Sequence, residues 1–303
     1  MTSSARSLVA VSLSVAALAM AEPAGATYST LAMERATGRY GMVSASCVEL
    51  STLQRVYAVV PDHGAVLTQS YLVAGDASQA LALNLLGESA HAADVIDAMT
   101  DPEFDSEFAL RQYVVLDAYG GFAAFSGSDA EPFAGHLDAS GAAFSVGVAG
   151  NFLTGAGVLE AAALGFGDEA ACDFEEHLVN ALVAASAGGL GDARCVVDGR
   201  PAQSSWLHVA GSNGAADLDI AVDAAPGVDP VTEVLSRFSE WRSGHPCPVE
   251  PEPNAPPATA SRDDPSYGCG MAHPGGVSFG NWIWLLGFVG WWRYFKRLRS
   301  STK

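Results

Sequence analysis

RQYVVLDAYGGFAAFSG, residues 111–127, is the stretch whose reading decides the fold. An apolar run leads up to Asp117, small turn-forming residues fill 117–121, and a second apolar run follows. Two such runs around a short glycine-containing turn read as a β-hairpin. Upstream, 27–32, 40–47 and 66–72 read as strands, and 40–47 sets β-branched or aromatic residues between small ones. Helical patterns occupy 76–86 and 90–99. Downstream come a second hairpin over 134–148, helices over 156–164 and 173–187, strands over 205–210 and 217–222, and a helix over 230–241. Asp173 followed by Glu176 forms a capping-box arrangement at the start of its helix. Strand pairs, then helices, then strands again predict an α+β layered fold and exclude a doubly wound parallel sheet.

Both ends of the 303-residue chain read differently from this domain. Residues 1–26 carry Arg6, an apolar stretch too short to span a membrane, and Ala24-Gly25-Ala26, the pattern of a cleavable signal peptide. A cut after Ala26 makes Thr27 the first mature residue; a cut after Ala21 is the alternative. The domain is expected over 27–243. Residues 244–276 are rich in proline, alanine and acid, a composition that reads as an extended stalk, and they include Cys269 between two glycines. Residues 277–292 are uncharged, apolar and rich in tryptophan, as a short membrane helix with interfacial anchors would be. The basic patch in 293–303 would then stay on the cytoplasmic side.

Fifteen Lys+Arg against 34 Asp+Glu give a formal charge of −19, and every basic residue between 27 and 276 is arginine. So negative a surface repels phosphate backbones, which argues against nucleic-acid binding. The acidic run Asp101, Glu103, Asp105, Glu107 lacks the glycine-turned spacing of a calcium loop. Export permits disulfides among Cys47, Cys172, Cys195 and Cys247 in three possible connectivities. Cys172 with Cys195 is the expected pair, the helix between them folding the chain back. The seven histidines are scattered, no Cys/His spacing forms a zinc site, and no nucleophile elbow, P-loop or HExxH is present, so no metal or cofactor is expected.

TYSTLA (27–32), TGRYGMVSAS (37–46), GAVLTQSY (64–71), the 111–127 hairpin, AFSVGVAGNFLTG (143–155), GDARCVVDGRPAQSS (191–205) and DLDIAVDAAPGVDPVTEVLSRF (217–238) follow one another in order. This ordered set resembles the domain-of-unknown-function family 1028, whose members look like N-terminal-nucleophile hydrolases. The resemblance implies a sandwich of two antiparallel sheets flanked by helices, and amide-bond hydrolysis. Separately, the tail's order of Gly-Cys motif, apolar helix and basic cluster resembles the sorting signals of myxobacterial surface proteins. That resemblance implies processing at Cys269 and removal of the apolar helix by a sorting protease, after signal peptidase has acted on the other end, and anchoring at the bacterial cell surface.

A terminal Thr attacks with its hydroxyl while its own α-amine, with an ordinary pKa near 8, takes the proton. The nucleophile must therefore be the first mature residue, and the predicted cut exposes Thr27. Asn151 is either an oxyanion donor or a residue of a glycine-rich turn. Thr68 and Gln69 are expected at the same cleft, Asp117 in the hairpin turn, and Arg111 beside Asp117 or a substrate carboxylate. Arg55, Arg111 and Arg194 are the sources of positive potential. Two functions follow: an exported amidohydrolase acting on a small-molecule or peptide amide, or a non-catalytic surface module that binds a ligand or partner on the same fold. Nothing in the residues fixes the oligomeric state.

Overall fold

The computed structural model describes residues 27–248 apart from 74–75, 131–132 and 212. The signal segment, most of the stalk, Cys269, the apolar run 277–292 and the basic tail lie outside the described residues. Among the described residues no helix is long and apolar enough to cross a membrane.

In chain order the elements are β1 (Thr27–Glu34), β2 (Arg39–Ser46), α1 (Leu50–Leu53), β3 (Tyr57–Val60), β4 (Gly64–Ser70), α2 (Ala77–Gly87) and α3 (Ala92–Met99). They continue with β5 (Arg111–Asp117), β6 (Phe122–Ser126), β7 (Gly135–Asp138), β8 (Phe144–Asn151), α4 (Gly157–Phe166), α5 (Phe174–Ala185), α6 (Ala193–Val196), β9 (Ser204–Ala210), β10 (Ala216–Asp223) and α7 (Pro230–Gly244). Every strand and helix expected within residues 27–243 is present. The short elements β3, α1 and α6 were not anticipated, because four residues are too few to display a period.

The strands form two antiparallel sheets, one of six strands in the order β10-β9-β2-β1-β8-β7 and one of four in the order β3-β4-β5-β6. The larger sheet carries α4, α5 and α7 on its outer face, the smaller carries α2 and α3, and the two sheets face each other. A strand with layers on both faces must be apolar at both parities. In β1, Tyr28 and Ala32 join Val43, Val146, Val148 and Leu178 beneath the helices, while Leu31 and Met33 join Met42, Leu67, Val114 and Leu116 between the sheets. A third cluster, including Val66, Val115, Leu86 and Val95, seals α2 and α3 onto the smaller sheet. The sheets approach so closely at Gly147 that a Cβ there would lie 2.5 Å from Val114 and 2.6 Å from Phe122.

Two disulfides are formed, but their pairing corrects the expectation of Cys172 with Cys195. Cys47 bonds Cys195, and Cys172 bonds Cys247. The twelve residues of α5 span about 18 Å and carry the chain away from Cys172. The chain then runs to the end of β2, where Cys47 donates its N–H to Asp192 Oδ2 at 2.7 Å and α6 begins. Cys195 of α6 and Cys47 are thereby brought to a Cα separation of 5.7 Å. At the other end of α5, Arg242 of α7 bonds Asp173, which places Cys247 beside Cys172 at 5.6 Å.

A bridge that closes 148 residues restricts the unfolded chain strongly. Replacing Cys47 and Cys195 by serine together is expected to lower the unfolding free energy by about 2–5 kcal/mol in urea titration. Non-reducing peptide mapping should show the 47–195 and 172–247 pairs; a 172–195 peptide would contradict this pairing.

Candidate active site

Three strand ends meet in one row of the larger sheet. β1 begins at Thr27, flanked by Ser46 at the end of β2 and Asn151 at the end of β8. Side chains alternate along a strand, so Thr27 shares the face of Leu31 and Met33 and looks toward the smaller sheet. Its Oγ1 donates to Ser46 Oγ at 3.4 Å. In the 303-residue chain Thr27 is 1% exposed and Asn151 0%.

Facing this row is a chain of uncharged polar groups. Gln112 Nε2 donates to the carbonyls of Gly135 and Gly150, both at 2.9 Å, and lies 2.7 Å from Ser126 Oγ. Its Oε1 accepts from Gln69 Nε2 at 2.7 Å and from Asn151 Nδ2 at 3.1 Å. Gln69 Oε1 in turn accepts from Ser29 Oγ at 2.8 Å. Ser29 has then spent its proton, so Ser44 is the donor in the 2.5 Å Ser29–Ser44 bond. At the outer end Ser126 Oγ lies 2.9 Å from Nδ1 of His136, whose pKa partial desolvation holds below the usual histidine value. Asn151 Oδ1 is buried and has no hydrogen-bond partner.

Beside this row stands a charged pair, Asp192 with Arg194, 2.9 Å apart. Asp192 is wholly buried, binds the N–H of Cys47 and caps α6 through the N–H of Arg194. The Arg194 guanidinium lies 5.2 Å from the centre of the Phe152 ring. Cys47 and Phe152 each follow a partner of Thr27, so this pair sits one residue beyond the row.

Of the residues expected at a site, Thr27, Asn151 and Gln69 come together. Thr68 points the other way and, with Ser78 and Tyr113, lines a cavity of about 10 Å³ beneath α2, room for a single water at most. Arg111 and Asp117 stand at opposite ends of β5 and do not pair. Arg111 instead donates to Asp105 at 2.7 Å and to the carbonyl of Tyr71 at 3.0 Å. Asp117 accepts the N–H groups of Tyr119, Gly121 and Ala92 at 2.8–2.9 Å, closing the hairpin over Gly120 at φ 76° and holding the start of α3. Arg55 pairs with Asp76 on the same outer layer. Among the described residues one group of potential metal donors, Cys172, Glu176 and Cys247, contains two sulfurs already bonded to each other.

Ser29, Ser44, Ser46, Gln112 and Asp192 were missed by sequence reasoning. Their signal is parity: Ser29, Ser44, Ser46 and Gln112 are polar residues on the inward-facing period of otherwise apolar strands.

The model of a family of unknown function (DUF1028) matches residues 27–234. The chain belongs to this family. The DUF1028 chain is also similar to the crystal structure of protein SPO2555 from Silicibacter pomeroyi, described as DUF1028, at 24% identity and a TM-score of 0.58. The alignment covers 72% of this chain and 89% of that one. No curated protein matches the chain.

Two outcomes test this arrangement. Gln112→Leu would strand two carbonyls and two amide donors between the sheets, and is expected to destabilise the fold by about 2–4 kcal/mol in denaturant titration. The second concerns Asp105. Burial would raise its pKa, but bonds from the Arg111 guanidinium and the Glu107 N–H outweigh this and hold it below 3.8. A carboxyl depressed in the folded state contributes stability above its unfolded pKa and loses it as pH falls through the folded value. Asp105→Asn should therefore destabilise the protein at pH 7 and match wild type progressively as pH drops below 3.8, measured by thermal melts across that range.

Proposed function

We propose that this protein is an exported, surface-anchored amidohydrolase of the N-terminal-nucleophile type, in which removal of residues 1–26 makes Thr27 the nucleophile. The observation that carries the reading is the position of Thr27: first residue of a central strand, hydroxyl on the face between two stacked sheets, with Ser46 and Asn151 on either side. The family match also begins at residue 27. The order of layers, helices outside two antiparallel sheets, is the one such hydrolases use, and the two disulfides accord with an oxidising compartment.

In this reading the α-amine takes the proton of Oγ1 as the oxygen adds to a substrate amide carbonyl. Asn151 Nδ2 spends one N–H on Gln112, and its second N–H is the donor for the oxyanion. As the C–N bond breaks, the ammonium returns its proton to the leaving amine. Water then hydrolyses the ester on Thr27. The surroundings are hydroxyls and carboxamides, suited to a neutral small-molecule or peptide amide. Export through signal peptidase, transient membrane retention through residues 277–292, and sorting at Cys269 that removes this helix and leaves the protein at the surface complete the proposal.

A second reading, a ligand- or partner-binding module on the same fold, is favoured by two observations: Thr27 is buried in the full-length chain, and the domain has no lysine to tune an amine. Intact mass of the exported protein discriminates between them. A mature chain beginning at Thr27 that is labelled by an electrophilic acylating probe, with labelling abolished by Thr27→Ala, is the expected result. Labelling that survives the substitution, or a different first residue, removes the hydrolase reading and leaves the binding one.

A further inference from the structure

Asn151 Oδ1 is a buried acceptor without a donor, an arrangement that folded proteins seldom leave standing. Its orientation is not a free choice. The carbonyls of Gly135 and Gly150 only accept, so Gln112 must present Nε2 to them and Oε1 to the opposite side. That oxygen only accepts, so Asn151 must present Nδ2 to it. Oδ1 is left pointing away from Gln112, on a residue directly across from Thr27.

From this we infer that Asn151 anchors the mature N-terminus: once residues 1–26 are removed, Oδ1 accepts an N–H of the Thr27 α-ammonium. The inference rests on Thr27 being the first mature residue. Residues directly opposite in an antiparallel pair have Cβ atoms about 4.5–5.5 Å apart, within reach of an asparagine carboxamide. Before cleavage residue 27 has one amide N–H, its direction set by the peptide plane. Afterwards it has three N–H bonds that turn about the N–Cα axis, and one can leave the plane of the sheet toward Oδ1.

The choice of a neutral acceptor has a chemical consequence. A carboxylate at this position would stabilise the ammonium strongly and spoil it as a base. The carboxylate of Asp192, which binds the N–H of the residue after Ser46, is already engaged by Arg194 and by that Cys47 N–H. A carboxamide oxygen fixes one N–H direction while leaving the amine able to lose a proton near neutral pH. Asn151 thus positions the base, in addition to any role its Nδ2 takes toward substrate.

The absence of lysine between residues 27 and 276 makes the test direct, since the α-amine of the N-terminal peptide is the amine to follow. The mature protein, its first residue verified by mass, is reacted with acetic anhydride across pH 6–9, and acetylation of the N-terminal peptide is quantified by mass spectrometry. Wild type, Asn151→Leu and Asn151→Asp are compared, with circular dichroism confirming the fold. Loss of the acceptor should lower the apparent amine pKa by about one unit in the leucine variant, giving roughly tenfold more free amine below that pKa. The aspartate variant should raise it. If the leucine variant does not fold, the aspartate variant decides alone: an unmoved pKa overturns the inference. A mature chain starting at Thr27 whose amine ignores both substitutions assigns Oδ1 to a water or a substrate N–H and overturns the anchor while leaving Thr27 as nucleophile. A chain that starts elsewhere overturns both.

Discussion

Two backbone carbonyls that can only accept, Gly135 O on β7 and Gly150 O on β8, reach across to the side chain of Gln112 on the opposite sheet. Their chemistry gives that carboxamide a single orientation, and each neighbour then inherits one: Gln69 and Asn151 donate to its oxygen, Ser29 donates to Gln69, and Ser44 donates to Ser29. Close packing already resists sliding of the sheets, as at Gly147 beside Val114 and Phe122. The directed chain of hydrogen bonds in a low-dielectric interior adds to it, because each misplaced member would strand a buried donor or acceptor. Leu31, Leu67, Val114 and Leu116 supply attraction between the sheets, and Gln112 helps fix their register.

The charges are kept away from this interface. In a domain with a large excess of acid, three paired arginines fasten one segment to another: Arg39 joins β2 to α5 through Glu175, Arg242 joins α7 to α5 through Asp173, and Arg111 holds the chain before β5 through Asp105. Pairs as exposed as Arg237–Glu233 contribute little. Arg111–Asp105 differs because both groups are almost fully buried, so losing one partner would leave the other charged and unsatisfied. This segregation explains how a strongly acidic surface coexists with an uncharged row around Thr27.

The layers were legible in the sequence because long strands and helices advertise their periods. The 111–127 hairpin, the capped helix at Asp173 and the paired late strands all fall where the residues place them. Of the candidate site, the sequence pointed to Thr27 from the cleavage pattern and to Asn151 and Gln69 from family segments, and the fold brings these three together. Gln112 was not legible, since its role depends on two carbonyls brought over from β7 and β8, a contact between elements far apart in sequence. The disulfide pairing failed for the same reason. Sequence proximity favoured Cys195 for Cys172, whereas the fold sets Cys47 and Cys195 together around Asp192. Arg111 and Asp117 looked adjacent because they belong to one strand, yet seven extended residues put them at its two ends.

Among the described residues, the row of Thr27 is held from both sides. Leu31 and Met33 pack between the sheets, Tyr28 bonds Ser186 at 2.7 Å under the helices, and the partners Ser46 and Asn151 are followed at once by residues tied to α6. Cys47 is bound covalently to Cys195 and by its N–H to Asp192, while the carbonyl of Phe152 accepts the N–H of Ala193 at 2.8 Å. Both neighbouring strands are therefore clamped one residue beyond the position where cleavage is proposed. Such a clamp lets the covalent end of β1 change without the sheet around it rearranging, which is what a group that must be created by processing and then held in place for chemistry requires.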